Sequence, residues 1–129
     1  MAVVTGKLVQ GRLFRTEARS IRRRVPITSG ALVSKAWLTI KNSPSDSDPG
    51  VLQKTITNTP SADGHIEETG SSGKLFATLR FDLSSSDTAL LTANLVYYYD
   101  IKIRFVSGNV EVIEYGMFSP EQPITQATT

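Results

Sequence analysis

In residues 97–105, YYYDIKIRF, side chains alternate without interruption: Tyr97, Tyr99, Ile101, Ile103 and Phe105 fall on one face, with Tyr98, Asp100, Lys102 and Arg104 on the other. Only an extended strand sends every second side chain to the same side, so the segment reads as a half-buried strand. The next stretch, VSGNVEVIEYGMF, supplies Gly108 and Asn109 for a tight turn and a second, antiparallel strand. Pairing Ser107 with Val110 places Val112 opposite Phe105. Ile113 then breaks the alternation unless a residue bulges near positions 112 and 113. Beyond that bulge the pattern predicts Tyr115 and Met117 on the core face and Glu114 across from Arg104 on the wet face.

The same period of two recurs upstream. KLFATLRFDL turns Leu75, Ala77, Leu79, Phe81 and Leu83 inward, and ALVSKAWLTIK turns Leu32, Ala36, Leu38 and Ile40 inward with Trp37 on the other face beside Lys35 and Lys41. Shorter extended pieces are expected at 7–15, 20–26 and 51–57. SSSDTALLTAN offers Ser84 and Ser85 as caps and Asp87 in the first turn, enough for one helical turn but not a helical layer. Seven or eight strands with almost no helix must bury their faces against one another, which predicts a single all-β domain, an antiparallel β-sandwich of Ig-like kind, with a small β-barrel as the alternative. The expected division is a basic N-terminal arm or edge strand over 1–26, a sandwich core over 27–118 and an extended C-terminal tail over 119–129.

Chemistry is constrained by what the chain lacks. With no Cys and one His in 129 residues, neither a zinc cluster nor a Cys or His relay can be assembled. The acidic DSDPG lacks the further oxygens and closing Glu of a calcium loop. His65, expected in a loop after Asp63 and Gly64, has no second ligand or relay partner. GHIEETGSSG lacks the lysine and following helix of a phosphate loop, and adjacent Glu67 and Glu68 point apart on a strand. The expectation is therefore no enzyme, no cofactor and no metal. No signal-peptide pattern opens the sequence and nowhere do about 18 apolar residues run together, so a soluble product made in a cytosol is expected.

Charge is distributed unevenly. Residues 1–30 hold seven basic side chains against Glu17, a net +6, while the remaining 99 hold seven basic against eleven acidic, a net −4. A basic end on an acidic body predicts contacts to complementary neighbours. The candidate partner-binding residues are Arg12, Arg15, Arg19, Arg22, Arg23, Arg24 and Trp37. On a strand, Arg22 and Arg24 point away from Ile21, Arg23 and Val25, so the run RRR cannot form one comb of phosphate contacts, and nearby aromatics are too few for single-strand stacking. The expectation is that Arg22, Arg23 and Arg24 grip carboxylates of adjacent protein subunits, and that changing all three leaves the isolated domain folded with its melting midpoint nearly unchanged. Trp37 has two readings: an interface anchor, or a ring covered by the chain's own N-terminal arm.

Five stretches, VQGRLF, ALVSKAWLTIKNSPSDSDPGVLQKTIT, FDLSSSDTALL, YYYDIKIRF and GNVEVIEYGMFSPEQPIT, together resemble in order the baseplate-upper-protein N-terminal family of tailed bacteriophages. The most specific part is Asp87, Thr88 and Leu91 combined with YYYDI and with Gly116 ahead of PIT. The resemblance implies a small β-sandwich serving as a non-enzymatic virion building block. The leading expectation is a capsid decoration or cement protein bound to major capsid or other virion proteins in a symmetric multi-copy assembly, with a tail or baseplate adaptor as the alternative. Nucleic acid and membrane are not expected partners. A nucleic-acid- or glycan-binding module, the latter using Trp37 or Tyr98 in a cleft, is the alternative from another class.

Overall fold

The computed structural model describes residues 4–28, 31–71 and 73–124. Its strands are β1 (Val4–Gly6), β2 (Arg19–Pro26), β3 (Val33–Lys41), β4 (Leu52–Ile56), β5 (Gly64–Glu68), β6 (Phe76–Leu83), β7 (Tyr97–Phe105) and β8 (Val110–Phe118), with one short helix, α1 (Ser85–Ala89). The fold is nearly all β. One sheet has the order β1-β8-β7-β3-β4 and the other β2-β6-β5. All pairings are antiparallel except β1 with β8. No helix among the described residues is long and apolar enough to cross a membrane.

Alternation explains the core. β7 buries Tyr97, Tyr99, Ile101 and Ile103, β3 buries Ala36, Leu38 and Ile40, and β6 buries Ala77, Leu79, Phe81 and Leu83. These inner faces meet as two layers, and each fully buried Leu, Ile or Phe contributes roughly 1.5–3 kcal/mol. Leu75 departs from the expected pattern: it lies just before β6 and is exposed. α1 links the sheets, opened by a capping box in which Ser84 and Asp87 exchange bonds through side chain and backbone.

The hairpin forms in a different register from the one expected. Arg104, not Ser107, faces Val110. Val106 donates its N–H to the Leu32 carbonyl at 2.8 Å, which holds it out of the β7–β8 ladder, and the turn closes with Phe105 N–H to Asn109 O at 2.9 Å. Gly108 alone takes a positive φ, 99°, so the two-residue turn is replaced by a longer loop. The bulge does occur at Ile113, between Val112 and Glu114. A slip of three residues is odd, however, and inverts the faces. Glu114 is buried, whereas Tyr115 and Met117 are exposed.

Residues 4–26 are built into the sandwich and do not lie outside it. Leu8, Val9, Leu13, Ile21 and Val25 are all buried, and β2 is an edge strand of the smaller sheet. Residues 8–11 are bends, within the 7–15 stretch where an extended piece was expected. The start of the expected tail is also pinned: Arg15 N–H reaches Glu121 O at 2.8 Å and Glu121 N–H reaches Leu13 O at 2.9 Å. Residues 125–129 of that tail lie outside the described residues. His65 stands on β5, where its Nε2 lies 3.1 Å from the Asn58 carbonyl.

Candidate binding site

The arginines are largely consumed within the molecule. Arg23 lies on the inner side of β2 and makes a two-pronged bond to Glu114 on β8, Nε to Oε1 at 2.7 Å and Nη2 to Oε2 at 2.9 Å. It also donates to the carbonyls of Lys7, Leu8 and Arg22. Tyr99 completes the group, donating to Glu114 Oε2 at 2.6 Å. Arg22 pairs with Glu67 at 3.3 Å and Arg12 with Glu121 at 3.3 Å. Arg15 donates to the carbonyls of Leu91 and Ala89 and to Gln122 Oε1, so it satisfies orphan acceptors at and beyond the end of α1. Arg19 donates to Gln10 O at 3.0 Å, and the Arg24 guanidinium stacks 3.9 Å over Phe76. The expectation that Arg23 is free for neighbouring subunits is therefore corrected, whereas Arg22 and Arg24 stay exposed on the outer side of β2. Glu67, Glu114 and Glu121 of the same chain meet Arg22, Arg23 and Arg12, so part of the charge asymmetry closes on itself.

The less committed surface is the outer face of the five-stranded sheet. Cross-strand register sets its side chains in rows, because directly opposed residues in a ladder share a face. One row runs Thr55, Trp37, Lys102 and Val112; the next runs Gln53, Thr39, Asp100, Tyr115 and Thr5; a third runs Lys41, Tyr98 and Met117. Trp37 is partly exposed. Its cover by the N-terminal arm is not what the described residues form: β1 stands at the opposite edge of the sheet, with β8 and β7 between it and β3. Instead Lys35 Nζ lies 5.8 Å from the Trp37 ring centre.

These rows enclose a trough with two lobes. A lobe of about 160 Å³ is lined by residues including Pro44, Tyr98 and Tyr115, and one of about 390 Å³ by residues including Trp37, Gln53 and Lys102. Thr39, Lys41 and Asp100 border both. The loop after β3 frames the trough and is internally fixed. Lys41 Nζ bonds Asp46 O at 2.7 Å and Asp48 Oδ1 at 2.9 Å, and Asp46 caps the Ser43 N–H at 3.1 Å. Gln53 Nε2 donates to Thr39 Oγ1 at 3.0 Å, orienting both polar groups.

Asp100 lies at the centre of the trough, partly buried. Its carboxylate makes no hydrogen bond or ion pair among the described residues. Desolvation pushes its pKa above the ordinary carboxylate value, only partly opposed by the Lys102 and Lys41 charges. Trp37, Tyr98 and Asp100 were legible as outward-facing from period two. The significance of Asp100 was not, because it depends on three neighbouring strands. Among the described residues no group of three or more His, Cys, Asp or Glu could hold a metal. Comparisons with protein-family models, with curated proteins and with solved structures find no match.

Proposed function

We propose that this chain is a non-enzymatic structural module of a tailed-bacteriophage virion, carried on the capsid as a decoration protein that binds neighbouring shell subunits. The observation that carries the reading is the outer face of β8. There Val110, Tyr115 and Met117 are each about half exposed, although the sandwich has a complete core on its inner faces. Apolar side chains aligned on a rigid strand give a partner surface to bury, and many symmetric copies turn modest contacts into firm attachment. The resemblance in sequence to phage baseplate modules supports the same class of role. A nucleic-acid-binding reading is weakened, because Arg23 is locked to Glu114 and is not available to join Arg22 and Arg24 in a run of phosphate contacts.

The test is particle occupancy. A Val110→Ser/Met117→Ser variant should fold normally and fall at least about tenfold in retention on purified particles, the effect of losing a small buried apolar contact. An Arg22→Gln/Arg24→Gln variant should retain near-normal occupancy. Absence of the wild-type chain from purified particles overturns the virion reading, and density for it in the tail instead of the shell overturns the capsid assignment.

A further inference from the structure

We infer that the trough on the outer sheet face is a binding site for a neutral saccharide of at least two sugar rings, with Asp100 accepting hydrogen bonds from ring hydroxyls and Trp37 and Tyr98 covering apolar ring faces. This goes beyond the virion role and does not depend on where in a particle the chain sits.

Four observations converge. The first is shape: two lobes meet at Asp100, and the larger, about 390 Å³, falls within the roughly 300–1,000 Å³ usual for small-molecule sites. The second is an acceptor without a partner. Asp100 is partly desolvated, its charge only partly offset by Lys102 and Lys41, and its open carboxylate oxygens receive no hydrogen bond among the described residues. Vicinal hydroxyls, two donors held a fixed distance apart, would satisfy both of its oxygens. The third is the interleaving of aromatic and polar side chains. A pyranose has apolar C–H faces and a polar rim, so it needs flat rings beside hydrogen-bonding groups. Register supplies that arrangement, with Trp37 and Tyr98 on the rows either side of the row holding Thr39 and Asp100.

The fourth observation is charge, which chooses among possible occupants. Lys41 and Lys102 against Asp48 and Asp100 sum to zero around the trough. A cationic peptide side chain approaching Asp100 meets two ammonium groups, and an anionic sugar meets two carboxylates. A neutral polyol can accept from Lys102 and donate to Asp100 while Lys41 and Asp48 stay paired with each other. The fixed loop from Lys41 to Asp48 keeps these groups in place before binding, which lowers the ordering cost.

The experiment is calorimetric titration of the isolated chain with a panel of neutral oligosaccharides: glucose, galactose, rhamnose and N-acetylhexosamine oligomers. A uronic-acid oligosaccharide and an oligo-arginine peptide serve as charged arms. At least one neutral member should bind in the micromolar to millimolar range. Asp100→Asn should weaken it at least about tenfold, the loss of one charge-assisted bond, with a Tm no lower than wild type. Trp37→Ala should weaken it as well. The inference is overturned if no neutral member binds, if the arginine peptide binds in preference, if Asp100→Asn leaves affinity unchanged, or if sedimentation shows the trough closed by a second copy of the chain. Val110→Ser, which pairs with Arg104 outside the rows that enclose the trough, should leave saccharide affinity intact, which separates failure here from failure of the virion reading.

Discussion

At the scale of single residues, Arg23 and Glu114 show how two charges become tolerable inside a sandwich. Glu114 is buried between the sheets, and its two oxygens are filled by the guanidinium fork and the Tyr99 hydroxyl. Burial and the bond to Glu114 push the Tyr99 phenol well above its ordinary pKa, so it stays a donor. Hydrogen bonding to Glu114 lifts the Arg23 pKa against the opposing pull of desolvation. Removing one member leaves the other buried and unpaired, the costly case. Arg23→Gln should therefore destabilise the domain by about 3 kcal/mol in urea unfolding. Arg22→Gln, at an exposed pair, should stay within about 1 kcal/mol. The triple change of Arg22, Arg23 and Arg24 to Gln should lower the melting midpoint through Arg23 alone, contrary to the expectation from sequence. Equal, small effects of the two single changes would show that the Arg23–Glu114 pair contributes no more than a surface contact.

At the scale of elements, the β7–β8 hairpin separates what periodicity can reveal from what it cannot. Two antiparallel strands, the Gly108 turn and the bulge at Ile113 were all legible, since each is a local consequence of alternation and turn chemistry. The faces of β8 were not. Its register depends on the Leu32 carbonyl taking the Val106 N–H, and an inward Glu114 makes sense only beside an arginine 91 residues away in sequence. The trough escaped for the same reason: Trp37, Asp100 and Gln53 belong to three strands, and only register sets their rows side by side. β1 was missed because a three-residue strand has no period to read, yet Gly116 marks where it docks. A Cβ at Gly116 would lie 2.2 Å from the Gly6 carbonyl oxygen and 3.0 Å from the Tyr99 ring. Gly116→Ala should thus displace β1 while leaving β7 paired with β3, costing roughly 1–3 kcal/mol. Hydrogen exchange should show lost protection at residues 4–6 with protection kept at 99–103; unchanged protection of β1 would mean the strand can shift to admit a methyl group.

For the molecule as a whole, two carboxylates give opposite responses to acid, and together they predict the shape of its stability profile. Desolvation raises the Asp87 pKa, but the Lys54 ammonium at 2.6 Å and the Ser84 donors outweigh it, so in the folded chain it lies below 3.8. The unfolded chain then takes the proton first, and stability that is fully present above about pH 4 is lost as pH falls through the folded value. Asp100 runs the other way. Its folded pKa lies above 3.8 because burial outweighs the attraction of Lys102 and Lys41, with Asp48 adding repulsion. The folded chain takes that proton first, so stability rises as pH drops from neutral toward 3.8. The two limbs predict a Tm that climbs modestly on mild acidification and falls steeply below about pH 4. Asp100→Asn should remove the climb by raising the neutral end, and Asp87→Asn should flatten the steep limb while lowering the whole curve, since Lys54 is buried and would lose its closest partner. Thermal scans of the three chains between pH 7 and pH 2 supply the measurement. A climb that persists in Asp100→Asn would assign it to another group and remove the stability cost attributed to the desolvated Asp100 carboxylate. That cost matters for function, because a group that weakens the fold at neutral pH while sitting in a preformed trough is the kind of trade expected at a binding site.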